Sequence, residues 1–412
     1  MSRPTLTGMR ALALVAALAG LLALGTAPAS GQFRDRLDRA LDAPGVSRAR
    51  TGAIALDVHT GARVYARGAR RSLEPASNQK LVVALAVLDR LGPRHRIPTE
   101  VLGLGAQSGS TWQGRLVLRG NGDPSLTRAK LRTLAQRIRA QGIVRVSGRV
   151  LADESRFDTN RTGQGWKASW YKVWCPPLSA LVVDRARVKR SVTDNPALAA
   201  ARAFTKELRR AGVQVGRAPR VGSPAKEGDR LAVMRSATLA RLVRTMNKQS
   251  DNFYAEMLLK HLGAEKRGAG TATSGARVAR KVLAARGVPL DRVRIADGSG
   301  LSPLNRLTAR ALALLLLSAR DDPALNTQFV DSLPIAGVDG TLKTRMTTSP
   351  ARGNVRAKTG TTSGASALSG YVRSRFVFSV LQNGSPVPWT SARAAQDRFA
   401  RLLARRALRL GS

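Results

Sequence analysis

Glu74-Pro75-Ala76-Ser77-Asn78-Gln79-Lys80 runs straight into Leu81-Val82-Val83-Ala84-Leu85-Ala86-Val87-Leu88, and this stretch decides how the chain is read. Apolar residues on every side predict a helix buried all round rather than an amphipathic one. Gly92, after Leu91, is its stop signal, and Ser77 falls at its start. A serine hydroxyl is a poor nucleophile until a base takes its proton. Lys80, one helical turn beyond Ser77, shares its face and brings an amine within reach of Ser77 Oγ. To act as a base Lys80 must be neutral, and partial burial together with the positive charge of Lys358 is expected to lower its pKa.

Working outward, Phe33 to Leu41 has helical spacing, and Gly52 to Val58 with Ala62 to Ala66 reads as a strand pair across Thr60-Gly61. Helical periodicity returns in Leu239 to Met246, Phe253 to Leu262, Ala276 to Ala285 and Ala309 to Ala319. Ser366 to Val372 and Phe376 to Leu381 alternate like adjacent strands, and Ser391 to Leu408 is a closing amphipathic helix. Strands at both ends with helices between predict one antiparallel sheet built from the two ends of the chain, an α/β (α+β) fold with helices packed on it. Between about 97 and 230 the texture changes to short strands, such as Arg115 to Leu118 and Val144 to Leu151, with helices near Arg128 to Ala140 and Pro196 to Ala211. The expected organisation is a leader at 1–29, catalytic parts at 30–96 and 231–412, and a smaller inserted α/β module at 97–230.

Two further motifs follow Ser77 and Lys80 in order, Ser250-Asp251-Asn252 before a helix and Lys358-Thr359-Gly360 before a strand. The S-x-x-K pattern alone is weak, since Ser169 to Lys172 and Ser223 to Lys226 match it too. The first of these runs into Cys175-Pro176-Pro177 and the second lies in a Gly-Ser-Pro loop, so neither opens a helix. Each motif alone has a plain reading as a helix cap, a turn or a loop; the ordered set does not. Ser250 is placed to relay a proton to a departing amine, and Asn252 to hold a substrate's peptide backbone. Lys358 and Thr359 suit a terminal carboxylate. Gly360 and Thr361 complete the substrate strand, and the backbone N–H groups of Ser77 and Thr361 are candidates for an oxyanion hole, worth on the order of 3 kcal/mol per donor.

This set matches β-lactamases and penicillin-binding proteins, and the chain resembles one family among them, the class C low-molecular-mass penicillin-binding proteins, or D-alanyl-D-alanine carboxypeptidases and endopeptidases. The likeness extends to Pro75 to Leu81, Gly122-Asp123-Pro124-Ser125-Leu126, Pro177-Leu178-Ser179-Ala180-Leu181, Asp297 to Ser302, Gly337 to Leu342 and Lys358 to Val372, spanning about residues 50 to 385. The resemblance implies a transpeptidase-like domain split by an insertion and a serine acyl-enzyme acting on peptidoglycan stem peptides. It also implies inhibition by β-lactams and no metal or other cofactor. Asp297 then shapes the site rather than taking part in the chemistry. One departure concerns the interval from Ser77 to Ser250, which is shorter than the family usually has. After Leu181-Val182-Val183 the chain passes almost directly to the helix at Pro196, so a further β-rich subdomain is expected to be missing.

Two other functions share part of this pattern. A class A β-lactamase needs a glutamate-held water, and no Glu-x-x-Leu-Asn segment lies between Ser250 and Lys358. A silent wall-binding protein has no need of Ser77, Lys80, Ser250, Asn252 and Lys358 together.

Arg3 and Arg10 precede an apolar run from Ala11 to Leu24 that is short for a membrane span. It closes on Ala27-Pro28-Ala29, predicting export with cleavage after Ala29, or an uncleaved anchor. One cysteine among 412 residues excludes an internal disulfide. The net charge of +43, from 69 basic and 26 acidic residues, is spread along the chain, which argues against a nucleic-acid stripe. It suits long-range attraction to anionic wall polymers. Binding to purified anionic walls should therefore weaken steeply between low and high salt; retention independent of salt in a pull-down would mean that the charge has no such role.

Overall fold

The computed structural model describes residues 27–223 and 227–411. The expected leader therefore lies outside the described residues except for its last three positions. No helix among the described residues is long and apolar enough to cross a membrane.

The first sheet has five strands, β1 (Thr51–Asp57), β2 (Arg63–Arg67), β12 (Val355–Thr362), β13 (Ala365–Val372) and β14 (Phe376–Asn383), in the order β12-β13-β14-β1-β2 and antiparallel throughout. It draws on both ends of the chain. β13 and the first seven residues of β14 are buried along their length, because helices cover both faces. On one face lie the helix Ala27–Leu41 (α1) and the C-terminal helix, with Phe399, Leu403 and Ala407 packed on Phe378, Leu368 and Val355. On the other face lies α2 (Gln79–Leu91), whose residues from Gln79 to Leu88 are all buried, as the unbroken apolar run predicts. Around it pack α5 (Leu239–Gln249), α6 (Asn252–Arg267), α7 (Ala272–Ala285), α8 (Ala309–Asp321) and the short α9 (Asn326–Asp331), through Leu85, Val243, Leu258, Val282, Leu312 and Phe329.

The second sheet has its own core of Leu116, Leu131, Leu134, Val150, Phe204 and Leu208. Its strands are β3 (Pro98–Ser108), β4 (Thr111–Gly120), β5 (Arg145–Val146), β6 (Val150–Asp153), β9 (Gln214–Val215), β10 (Arg220–Val221) and β11 (Asp229–Arg235), with β10-β6-β4-β3-β11 as its main path. The helices α3 (Arg128–Ala140) and α4 (Pro196–Arg210) pack on it, and a separate two-stranded hairpin, β7 (Arg187–Val188) with β8 (Ser191–Val192), precedes α4.

Two stretches differ from the sequence expectation. Val144 to Leu151 is two strands rather than one: Gly148 N–H donates to Gly114 O at 2.8 Å, and Gly114 N–H donates to Ser147 Oγ at 2.9 Å, so the chain bends at Ser147-Gly148. The β3–β4 hairpin is far longer than Arg115 to Leu118. Gly105 faces Gly114 across it, and a Cβ at 105 would lie 2.0 Å from Gln113 O. Glycines required by that close approach remove the alternation from which a strand is read.

The two cores are joined by a histidine pair. His261, on α6, places Nδ1 2.9 Å from Asn121 O at the end of β4, and its Nε2 3.1 Å from Nε2 of His95, in the loop after α2. A carbonyl only accepts, so Nδ1 of His261 carries the proton and its bare Nε2 accepts from His95. Burial pushes His261 down to about 4; Glu265 pulls the other way, while His95 and Arg156 add repulsion. Burial also lowers His95, opposed by Glu265 and assisted by Lys266 and Arg235. The unfolded chain binds a proton near pH 6.5 that the native pair refuses, so stability present above pH 6.5 is lost as pH falls toward 4. The His261 share of this loss, read as the difference in urea-unfolding stability between wild type and His261→Gln, should be on the order of 2–3 kcal/mol between pH 7.5 and 4.5. His261→Gln should be less stable at pH 7.5 yet lose less over the same interval; equal slopes for the two proteins would rule the pair out as the cause.

Candidate active site

Ser77 lies in a one-turn 3-10 helix, Ala76–Asn78, that leads into α2. Ala76, just before it, is held at φ +46°, a left-handed conformation that costs an L-residue roughly 1–2 kcal/mol. The loop at 297–302 and β12 press against this turn. A Cβ on Gly300, itself at φ +82°, would lie 1.8 Å from Ala76 O, and one on Gly360 would lie 2.8 Å from Pro75 O. Only glycine lets both segments come so close.

Ser77 is half-buried, and Lys80 is wholly buried. Lys80 Nζ donates to Ser77 Oγ at 2.9 Å, Asn252 Oδ1 at 2.8 Å and Ser299 O at 2.6 Å. Three chain segments thus meet on one amine. Ser250 caps the end of α5 in the left-handed conformation (φ 55°), and Asp251 caps the start of α6, accepting from Tyr254 N–H at 3.0 Å. This pair of caps turns the chain sharply and leaves Ser250 Oγ and Asn252 facing the same space. Asn252 also donates through Nδ2 to Trp174 O at 2.9 Å.

Lys358-Thr359-Gly360 lies within β12, not before it. The sequence expectation fails there because a lysine followed by Thr-Gly-Thr-Thr carries no apolar alternation. Lys358 is buried, and its Nζ donates to Ser250 Oγ and to Thr359 O, both at 2.8 Å. Thr359 Oγ1 lies 2.7 Å from Thr341 Oγ1, and Thr361 Oγ1 accepts from Arg393 at 3.2 Å. The structure therefore brings together Ser77, Lys80, Ser250, Asn252, Lys358 and the strand Thr359 to Thr361. The alternative pairs are elsewhere: Lys172 is bound to Asp194 at 2.7 Å, and Ser223 Oγ to Ser155 Oγ at 3.2 Å.

Burial lowers Lys80 to about 8, and Asp297, Asp251 and Glu256 limit the fall. Burial, with repulsion from Lys80, holds Lys358 well below the usual lysine range. That repulsion is mutual, and Lys80 has carboxylates near enough to offset it.

Two residues of this site escape a motif-based reading. Glu256, one turn beyond Asn252 on α6, is buried and accepts from Gly298 N–H at 3.0 Å and Ser299 N–H at 2.7 Å, which fixes the carbonyl that Lys80 uses. Burial and Asp297 push it up to about 7. A carboxylate amid Ala255, Met257 and Leu258 is itself the signal, since such a group is buried only when paired. Trp166 Nε1 donates to Asp297 at 2.8 Å, and Asp297 also accepts from Gly300 N–H, Ser302 N–H and Asn305 Nδ2. Cys175 is buried with its thiol pushed well up, which makes it unreactive. Among the described residues no group of three or more His, Cys, Asp or Glu is arranged to hold a metal ion.

A family model described as the D-Ala-D-Ala carboxypeptidase 3 (S13) family matches residues 33–196 and 189–406. The chain belongs to that family. It is 32% identical over 503 aligned positions to a D-alanyl-D-alanine carboxypeptidase of an Actinomadura species, covering 98% of this chain and 92% of the relative. It is 32% identical to carboxypeptidase DacB of Mycolicibacterium smegmatis, covering 86% of this chain and 80% of that protein. Its fold matches penicillin binding protein 4 of Haemophilus influenzae with a TM-score of 0.79 at 24% identity, over 90% of this chain and 98% of the other. The S13 chain is accordingly an enzyme, a serine-type D-Ala-D-Ala carboxypeptidase with the penicillin-binding-protein fold.

Gly300→Ala should force the Ser77 turn aside. We expect penicillin acylation to slow by roughly 10²-fold and stability to fall by about 2–4 kcal/mol, read by stopped-flow labelling and thermal melting; an unchanged acylation rate would show that the contact does not position Ser77.

Proposed function

We propose that this protein hydrolyses D-alanyl-D-alanine peptides of bacterial peptidoglycan, as carboxypeptidase and endopeptidase, through an acyl-enzyme on Ser77. The observation that carries this reading is the buried Lys80 amine bound to the half-exposed Ser77 hydroxyl, with Lys358 on Ser250 across the same space. With its pKa near 8, Lys80 is neutral in about a tenth of molecules at pH 7, against fewer than about one in a thousand for an ordinary lysine. It takes the Ser77 proton as Oγ bonds to the carbonyl carbon of the penultimate D-alanine. The developing oxyanion is held by the backbone N–H groups of Ser77 and Thr361. When the C–N bond breaks, the proton held by Lys80 reaches the departing amine by way of Ser250, and water then releases the peptide from Ser77. Asn252 orients both Lys80 and the peptide, and Thr359 to Thr361 form the strand along which the substrate lies. A β-lactam enters the same sequence and stops at the acyl-enzyme; the Haemophilus influenzae protein also occurs complexed with a β-lactam.

Export through cleavage of residues 1–29, and action outside the cytoplasm, fit a substrate found only there. Residues 97–230 are read as a module inserted into the catalytic domain and shortened at the β7–β8 hairpin. The two matched stretches of the family model meet at 189–196, within that hairpin and the approach to α4, and the Actinomadura alignment spans more positions than this chain has. Both support the shortening.

Labelled penicillin should give one adduct, on the peptide containing Ser77. Ser77→Ala should abolish labelling, whereas Ser169→Ala and Ser223→Ala should not. Lys80→Ala should stay folded and acylate about 10²-fold or more slowly. The wild-type rate should climb with pH as Lys80 loses its proton around pH 8. Labelling that survives Ser77→Ala would end this mechanism.

A further inference from the structure

The peptide's terminal carboxylate needs a cation, and the residues expected to supply it are otherwise engaged. Lys358 Nζ is buried and spends two hydrogen bonds on Ser250 Oγ and Thr359 O. No carboxylate stabilises its charge, and burial with Lys80 lowers its pKa. The Thr359 hydroxyl is already shared with Thr341. These groups can direct hydrogen bonds at a carboxylate, but a permanent positive charge has to come from elsewhere.

The C-terminal helix, α10 (Trp389–Arg409), supplies one. Trp389 Nε1 donates to Thr362 O at 2.8 Å, and Arg393, one turn on and on the same face, donates through Nη2 to Thr361 Oγ1 at 3.2 Å. The helix cannot slide relative to the sheet, because the buried Gln396 donates to Ser366 Oγ at 2.9 Å and Gln382 Oε1 at 3.0 Å. Asp397 would be the natural ion-pair partner of Arg393 at i, i+4. Asp397 is instead taken by Arg345, whose Nη2 lies 2.7 Å from Asp397 Oδ1. Among the described residues Arg393 has no carboxylate within ion-pair distance, and its side chain is exposed at the end of the strand that carries Thr359 and Thr361. Those two threonines alternate onto one face of β12, so an anion seated there meets both hydroxyls and the guanidinium. A guanidinium stays charged at every working pH and offers a planar fork that matches a carboxylate.

The geometry points to Arg393 as a specificity-determining residue that binds the C-terminal carboxylate of the substrate peptide, with Thr361 as the hinge that aims it. This rests on reading Lys358 to Thr361 as the substrate strand beside Ser77. Lys358 is then free for the proton path through Ser250, and carboxylate recognition passes to a group outside all three motifs.

The test compares a short peptide ending in D-alanyl-D-alanine with the same peptide ending in a C-terminal amide, using the full chain. Arg393→Ala should lower kcat/KM for the free acid by about 10- to 100-fold, the scale of a charge-assisted hydrogen bond. The fall should come chiefly through KM, and the amide should change less than about threefold, since it offers no carboxylate for the pair. Arg393→Lys should fall between wild type and Arg393→Ala, because it keeps the charge and loses the fork. Labelled penicillin at saturation should still modify Arg393→Ala to one equivalent, showing that the fold and Ser77 are intact. An equal loss on both peptides, no loss on either, or a variant that fails to label would overturn the proposal. Failure of the Ser77 mechanism would be seen separately, as turnover of the acid by Ser77→Ala.

Discussion

The site depends on keeping one amine dry. Lys80 has no access to solvent, and its three hydrogen bonds come from the turn before α2, the start of α6 and the loop at 297–302. Removing an ammonium from water costs several kcal/mol unless acceptors and counter-charges replace the solvent. Here the replacement is partial: the acceptors are all neutral, and the carboxylates of Asp297, Asp251 and Glu256 act from beyond them. The amine is left close to the point where a proton is held or lost at small cost, which is the condition a general base must meet. Everything that fixes those acceptors, including the glycine at 300 and the carboxylate of Glu256, follows from that requirement.

The two buried lysines divide the work unequally. Lys80 is surrounded by distant negative charge, whereas Lys358 has only neutral oxygens and the repulsion of Lys80. Two ammonium groups in one dry site cannot both stay fully charged. Each lysine therefore loses its proton more readily while the other is charged. A guanidinium held at the rim keeps its charge throughout, so it supplies charge without disturbing the proton path.

Much of this was legible in the sequence. The helix α2 was plain because the eight residues from Leu81 to Leu88 are all buried, and burial on all sides leaves an unbroken apolar run. The helices α5 to α8 and α10 and the strands β13 and β14 were plain for the related reason that their buried faces repeat at 3.6 or 2 residues. The three motifs named Ser77, Lys80, Ser250, Asn252 and Lys358, which the fold links through the amines of Lys80 and Lys358. What the sequence hid was set by geometry instead. β12 carries threonines where apolar alternation would have marked a strand, and β3 and β4 carry glycines where backbones nearly touch. Glu256, Trp166 and Arg393 act by where α6, the loop before Cys175 and α10 place them, and no spacing rule connects them to Ser77. The carboxylates that offset the burial of Lys80 are hidden in the same way, since they lie 171 and more positions away in the chain.

The ties between the two cores bear on how the chain tolerates change in length. Trp166 holds Asp297, Arg185 is paired with Asp251, and His261 bridges His95 and Asn121. Each is a bolt between the second sheet's module and the walls of the site, and each would leave a buried polar group stranded if withdrawn. The module therefore behaves as a load-sharing buttress rather than a pendant. The β7–β8 hairpin holds none of these bolts. The hairpin is instead held by its own pairing, Arg187 with Val192 and Val188 with Ser191, so a load on the walls of the site does not pass through residues 187–192.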